Sequence, residues 1–431
     1  MLKVIFVVVV AVMIIITTLI GCTPSEKTPT LVAIDNQSVK PQVPAVVDSK
    51  KIQPNPDEAT ASKVRGFLYE SFEGITQIYY MKESGRDKIK LGQGGNSQPA
   101  WSPDGNTIAF VSPGGNICTM DIEGKNIKEF KSGNNPIWSP DGKKIAFITK
   151  EDLSNSLWVM NADGTGLLDV TKGQSGWYFA PIWSPDGKRL ASTCCITKDN
   201  LVFWPDVFVI NADGTGINNV TNTKLDSEIG PCWSSDGQNI AFLSNREGGN
   251  TNSDNWNLYV MKDDGSGVRK LNTDGTEWTG YAGLSRNYRN PETGTVSVWD
   301  STAEYNGPYT TWSPDGKYIT VCTVRAQGPS VPRTPPFNTI SKPPDQFVIG
   351  SLIVFDSLTG QEIAAVKAGK RSVYWSPDSK RICYIPPAGS SDQLLPYRQI
   401  TARNFVIMDV DGGNPQTIFD CNADGYVNWH P

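Results

Sequence analysis

Histidine is all but absent from this chain of 431 residues: the single one, His430, is the penultimate residue. General-base catalysis by imidazole is thereby nearly excluded. A Ser-His-Asp triad and a His-ligated zinc or manganese go with it. No Gly-x-Ser-x-Gly nucleophile elbow occurs. No basic block occurs either; 39 Lys and Arg stand against 44 Asp and Glu, a net charge of -5. A nucleic-acid footprint is therefore not expected. Helix-forming runs are scarce. No Cys-x-x-Cys appears, and the seven cysteines beyond Cys22 are odd in number and irregular in spacing. They form neither a disulfide framework nor a metal site. Most fall within expected strands as small apolar residues, while one disulfide among Cys194, Cys195 and Cys232 stays open. No catalytic residue, metal ligand or cofactor is assigned. Carboxylates are plentiful, but no spacing singles out a catalytic pair.

What is abundant is Gly, Pro, Trp and Asp, in a fixed order. The chain spells WSPDGNTIAF from Trp101, WSPDGKKIAF from Trp138 and WSPDGKRLAS from Trp183. WSSDGQNIAF from Trp233, WSPDGKYITV from Trp312 and WSPDSKRICY from Trp375 follow, and Trp429 begins a last Trp-x-Pro. Within one copy, a strand ending at Trp138 meets the turn Ser139-Pro140-Asp141-Gly142. There Pro sets φ early and Gly accepts a positive φ late. Apolar strands follow at Lys144–Ile148 and Leu157–Met160. A second Gly-rich turn at Asn161–Gly166 leads to a strand from Leu168. Each repeat thus reads as four short antiparallel strands. One such sheet leaves an apolar face open, and radial stacking buries it. Each repeated Trp is a core residue, removing about 150–250 Å² from water. That amounts to roughly 4–6 kcal/mol at most.

This pattern resembles the TolB-like, WD40-like (PD40) propeller repeat over residues 64–431. It lacks the Gly-His and Trp-Asp signatures of the eukaryotic-type repeat. The resemblance implies an all-β fold, a seven-bladed β-propeller of four-stranded antiparallel blades. Three strands before Trp101 and one after Cys421 share the seventh blade, so that Tyr426–Trp429 closes the ring beside Phe67. Eight blades is the alternative, because the gap between Trp233 and Trp312 has room for a degenerate one. Peptidases with N-terminal propellers and polyuronate lyases share the repeat. Here the hydrolase domain and the metal histidines have no counterpart, so the chain reads as a binding protein rather than an enzyme.

Residues 1–21 read as a signal peptide. Lys3 precedes the apolar run from Val4 to Ile20, and Leu19-Ile20-Gly21-Cys22 resembles a bacterial lipobox with Cys22 the lipidated residue. The rival reading is an uncleaved anchor near the lower length for spanning. Either one holds the body at a membrane, outside the cytoplasm, and two or more acyl chains anchor stably. Thr23 in place of Asp favours the outer membrane where the organism has one, facing a periplasm. Residues 22–63, without an aromatic and with six Pro, read as a disordered tether, reaching on the order of 35 Å.

Antiparallel order sends the SPDG and NADG turns to one face and every long connection to the other. Loops on a rigid scaffold are where binding concentrates. Trp256, Trp278, Tyr281, Tyr288, Trp299 and Tyr305, with Arg325 and Arg333 in a Pro-rich connection, are the candidate binding residues. For the aromatics, packing of the loops onto their own blades is the competing reading. The NADG turns at Asn161 and Asn422 resemble fragments of calcium loops but lack the distal Glu, and they read as turn formers. The expected function is a membrane-anchored scaffold that binds a protein. The alternatives are a carbohydrate or small-ligand binder and, third, a carboxylate-dependent enzyme. TolB-type members carry an extra N-terminal α/β domain where this chain has its tether, so their partners are not carried over.

Overall fold

The short run after each Trp-Ser turn, Ile-Ala-Phe in three of the six, shows why this chain builds sheets that stack. Ile108 and Phe110 pack with Leu68, Ile78 and Leu91 on one side. Ala109 and Val111 pack with Ile145, Phe147 and Met160 on the other. A strand buried on both faces reads as a continuous apolar run rather than an alternating one.

The computed structural model describes residues 66–72, 75–85, 88–150, 154–174, 176–198, 201–202, 205–223, 226–246, 255–272, 278–279, 288–289, 296–297, 309–326, 348–368, 373–384, 386, 405–418 and 423–429. All regular structure among them is strand. They form seven sheets of four main strands, each running from an inner first strand to an outer fourth. Blade 1 is Ala423–Trp429, Gly66–Phe72, Thr76–Lys82 and Ile89–Leu91; blade 2 is Ser97–Trp101, Thr107–Val111, Asn116–Asp121 and Lys128–Ser132. Blade 3 is Asn134–Trp138, Lys144–Lys150, Asn155–Asn161 and Leu168–Asp169; blade 4 is Gly176–Trp183, Arg189–Lys198, Asp206–Asn211 and Ile217–Asn219. Blade 5 is Glu228–Trp233, Asn239–Ser244, Asn255–Lys262 and Arg269–Lys270; blade 6 is Tyr309–Trp312, Tyr318–Ala326, Val348–Asp356 and Glu362–Ala368. Blade 7 is Val373–Trp375, Arg381–Tyr384, Phe405–Asp409 and Gln416–Ile418. The fold is a seven-bladed β-propeller. Around Trp278 the described residues make no eighth blade: Trp278–Thr279 pairs onto blade 5, and Tyr288–Arg289 with Val296–Ser297 makes a separate two-stranded hairpin.

The core is divided among the seams. Seven apolar clusters occur among the described residues, one between each pair of neighbouring blades. Closure falls at blade 1, where Phe67 pairs with Trp429 and Tyr69 with Val427. The Phe67 and Trp429 rings lie 4.9 Å apart, and Phe405 of blade 7 joins them 5.1 Å from Phe67. Full burial of such side chains stabilises by about 1.5–3 kcal/mol each.

Six Ser-x-Asp turns repeat one hydrogen-bond pattern. Ser102, Ser139, Ser184, Ser234, Ser313 and Ser376 are buried. Each hydroxyl donates to the Asp two residues on, at 2.5–2.8 Å. It also accepts the backbone N–H five residues on, at 2.9–3.0 Å. The Ser hydroxyl holds the carboxyls of Asp104, Asp141, Asp186, Asp236 and Asp378 below the usual range. Successive turns also stack: a Cβ on Gly142 would meet Pro103, one on Gly187 would meet Pro140, and one on Gly237 would meet Pro185. In blade 7 a serine replaces that glycine. Ser379 adopts φ +59°, and its hydroxyl accepts the Asp315 N–H at 2.9 Å.

Candidate binding face

Inner strands carry a second periodic signal that the sequence reading passed over. Gln98-Pro99, Asn135-Pro136, Ala180-Pro181 and Gly230-Pro231 each stand just ahead of the repeated Trp. The first residue of each pair has φ of +53°, +53°, +45° and +60°, and the ladder register shifts there. Proline lacks the N–H a ladder needs, so it sits at an edge or a bulge. Here that edge is the inner one. The freed amides are met from the preceding blade. Gln98 N–H donates to the Glu70 carboxylate, Asn135 N–H to Gln98 Oε1 at 2.6 Å, and Gly230 N–H to Thr193 Oγ1 at 3.1 Å. Thr310 of blade 6 donates to the Gly230 carbonyl at 2.6 Å. The inner rim is thereby laced from blade to blade.

Short hairpins occupy one face; the connections from second to third strands, and from blade to blade, occupy the other. On that second face, Leu201–Val202 pairs with Thr197 and Lys198, extending blade 4. Leu201–Val202 also lies beside the hairpin strand Tyr288–Arg289, and Trp278–Thr279 lies beside Tyr318–Ala326. Segments from the long connections of blades 4, 5 and 6 thus gather together.

The expected site residues divide as follows. Trp256 is not on an open surface: it is 4% exposed, packed with Leu258, Leu271, Ile319 and Phe355 in the seam between blades 5 and 6. Its place in a strand continuous with Leu258 and Val260 turns the ring inward by the period of two. Trp278 begins the short strand paired with blade 5, and Tyr288 begins the two-stranded hairpin. Arg325 pairs with Ile349 near the end of the long blade 6 ladder. Tyr281, Trp299, Tyr305 and Arg333 lie outside the described residues, as do Cys22 and the signal and tether segments. The repeated Trp183, Trp233 and Trp429 are buried; Trp101, Trp138, Trp312 and Trp375 are half-buried against seams. Cys118, Cys194, Cys195, Cys232, Cys322 and Cys383 are buried free thiols, so the open pairing among Cys194, Cys195 and Cys232 is not made. Burial pushes the Cys195 and Cys232 thiols up to about 12.

The same face carries a polar cluster at the seam of blades 4 and 5. Glu228 opens the inner strand of blade 5, which is buried at every residue. Its side chain is fully buried. Thr223, on the connection between the two blades, lies 2.6 Å from Glu228 Oε2; Ser244 donates to Oε1 at 2.8 Å. Arg246 Nη2 reaches Oε1 at 3.3 Å, its guanidinium 4.9 Å from the Tyr259 ring centre. Asp206, also buried, opens the third strand of blade 4. It accepts from Asn219 Nδ2 at 2.8 Å, from Thr221 Oγ1 at 2.8 Å and from Thr223 N–H at 3.1 Å. Burial pushes the Glu228 carboxyl up to about 7, against the opposing pull of Thr223, Ser244 and Arg246. The sequence hint was a Glu, in SEIGPCW, on a strand otherwise apolar or small. Among the described residues no group of three or more His, Cys, Asp or Glu is gathered for a metal.

Comparison with known proteins follows this geometry. Residues 114–286 match the family model of the TolB beta propeller domain, PD40. No curated protein matches the chain. Among solved structures, a putative TolB from Agrobacterium tumefaciens is 17% identical, covering 85% of this chain and 99% of that one, with a TM-score of 0.41. TolB from Acinetobacter baumannii is 17% identical, covering 89% of each chain, with a TM-score of 0.42. An oligogalacturonate lyase in complex with manganese is 16% identical, covering 74% of this chain and 82% of that one, with a TM-score of 0.49. The match over residues 114–286 is to the TolB beta propeller domain, and the same Trp-Ser-x-Asp repeat occurs on both sides of it, from Trp101 to Trp375.

Proposed function

We propose that this protein is a lipid-anchored, extracytoplasmic β-propeller that binds a protein partner through its long-connection face and carries out no catalysis. Cys22 is the lipidation site, residues 1–21 the cleaved signal and residues 22–63 the tether that sets the propeller off the membrane. The observation that carries the reading is the division of the two faces. One face is made of short turns locked by the repeated Ser–Asp pattern. The other collects the long connections of blades 4 to 6, with Trp278 and Tyr288 among them. Amphipathic aromatics on such a face supply large contact area at low entropic cost.

The test compares the wild-type protein, purified from membranes, with a variant in which residues 273–308 are replaced by a short Gly-containing turn. A partner held by wild type and lost by the loop variant supports the reading. Equal capture by both removes it. Binding on a glycan array, lost on Trp278→Ala and Trp299→Ala, puts the carbohydrate reading in its place. Cys22→Ser moves the protein from the membrane to the soluble fraction if the lipid is the anchor.

A further inference from the structure

Thr223 places one hydroxyl hydrogen between more acceptors than it can serve. Its Oγ1 lies 2.6 Å from Glu228 Oε2, 3.3 Å from Asp206 Oδ1 and 3.2 Å from the Asp226 carbonyl. With both carboxylates ionised, at least one of them faces an oxygen lone pair across that gap. With a proton on Glu228 Oε2, the row is satisfied in one direction: Glu228 O–H donates to Thr223 Oγ1, and Thr223 donates on to Asp206. The other end of Glu228 needs no added proton. Ser244 Oγ accepts Arg246 N–H at 3.1 Å and Arg246 Nε–H at 3.1 Å, so its own hydrogen goes to Glu228 Oε1.

We propose that Glu228 is a proton-operated latch, closed when protonated, that pins three connections of the long-connection face at the seam between blades 4 and 5. The pinned segments are the stretch into Asp206, the blade-to-blade connection through Thr223, and the start of the connection at Asn245 and Arg246. Among the described residues, the charged groups facing Glu228 are Arg246, from the end of the second strand of blade 5, and Asp206, from blade 4. The hydrogen bonds with Thr223 and Ser244 and the charge of Arg246 favour the ionised form; burial and Asp206 oppose it. Burial prevails, and the proton is held to about pH 7. A buried carboxylate that must charge weakens the structure around it. Release of the proton therefore loosens the seam as pH rises. The latch stands whatever the face binds.

Hydrogen exchange on the full mature protein between pH 5.5 and 8.5, corrected for intrinsic rates, tests it. The probes are Thr223 N–H, which donates to Asp206, and Arg246 N–H, which donates to Ser244; Asn135 N–H, in another seam, is the control. Protection of the two probes is expected to fall as pH rises from 5.5 to about 7, by up to tenfold per pH unit for one released proton, and to level off above that, with Asn135 unchanged. Glu228→Gln, which cannot ionise, is expected to keep flat protection. Wild-type protection that stays level to pH 8.5, or the same fall in Glu228→Gln, overturns the latch. Asp206→Asn provides a second reading if Glu228→Gln does not fold. Without the second carboxylate the wild-type midpoint moves down, and an unmoved midpoint overturns the proposal as well.

Discussion

Trp138 donates its indole N–H to the carbonyl of Ala100, 3.1 Å away, in the residue before the repeated Trp101 of the preceding blade. Trp183 repeats the relationship one blade on, reaching the carbonyl of Ile137 at 3.3 Å. In blades 3 and 4 the repeated Trp therefore does two things at once. The ring packs in a seam, and its polar edge ties that seam at the inner strand.

Trp138→Phe keeps an aromatic ring but removes this tie. The expected loss is about 1–2 kcal/mol, since the Ala100 carbonyl loses its donor and the smaller ring leaves space. Urea denaturation followed by circular dichroism measures it. An unchanged midpoint would show that the bond contributes nothing beyond packing.

Ser184 is fully buried, donates to Asp186 and accepts the Arg189 N–H. Ser184→Ala strands that N–H and should cost about 1–3 kcal/mol. Pro185→Ala in the same turn, which removes only a φ restraint, should cost about 1 kcal/mol or less. Reversal of the two in denaturation experiments would assign the turn's stability to proline instead of the hydroxyl.

Two groups of carboxyls give opposite pH dependences. Asp104, Asp141, Asp186, Asp236 and Asp378 are depressed by their Ser donors. Their contribution is present above the ordinary Asp value and is lost as pH falls through the depressed one. Glu228 is raised from 4.5 to about 7. Its contribution is complete below pH 4.5 and is lost as pH rises through 7, up to about 3 kcal/mol. Wild type should therefore lose stability relative to Glu228→Gln between pH 5 and pH 8, while both weaken in acid. Denaturant midpoints at pH 3, 5 and 8 decide this; a wild-type minus Glu228→Gln difference that does not change between pH 5 and 8 would falsify the raised value.

Ring closure rests on Trp429, its ring tilted against that of Phe67 and covered by the Arg381 guanidinium 5.2 Å away. Arg381 also pairs with Glu83 of blade 1. Trp429→Ala should cost about 3–5 kcal/mol, and deletion of residues 423–431 should abolish the single cooperative transition, since blade 1 loses its inner strand. A truncated protein that still melts sharply near the wild-type temperature would mean that closure contributes little.

Much of this was legible along the chain because a propeller is nearly one-dimensional. Each Trp-Ser-x-Asp copy carries its own turn chemistry, and the ends of the repeat array expose the shared blade at Phe67 and Trp429. The inner bulges at Gln98, Asn135, Ala180 and Gly230 were written in the sequence as X-Pro pairs before Trp. Their meaning appears only once that strand is known to be an edge. Trp256 marks the limit of loop-based reasoning: read as belonging to a long connection, it lies on the strand Asn255–Lys262, and the period of two carries its ring into the seam.

By itself, the amino-acid order determined the repeat and the turn type, because those depend on residues close together in the chain; the choice of seven blades over eight came only with the pairing of Trp278–Thr279 onto blade 5. The tertiary structure decided what the seams contain. Asp206, Thr223, Glu228, Ser244 and Arg246 meet only because two blades stack, and burial from that stacking alters the chemistry of Glu228. No local pattern encodes a desolvation that is imposed by the neighbouring blade.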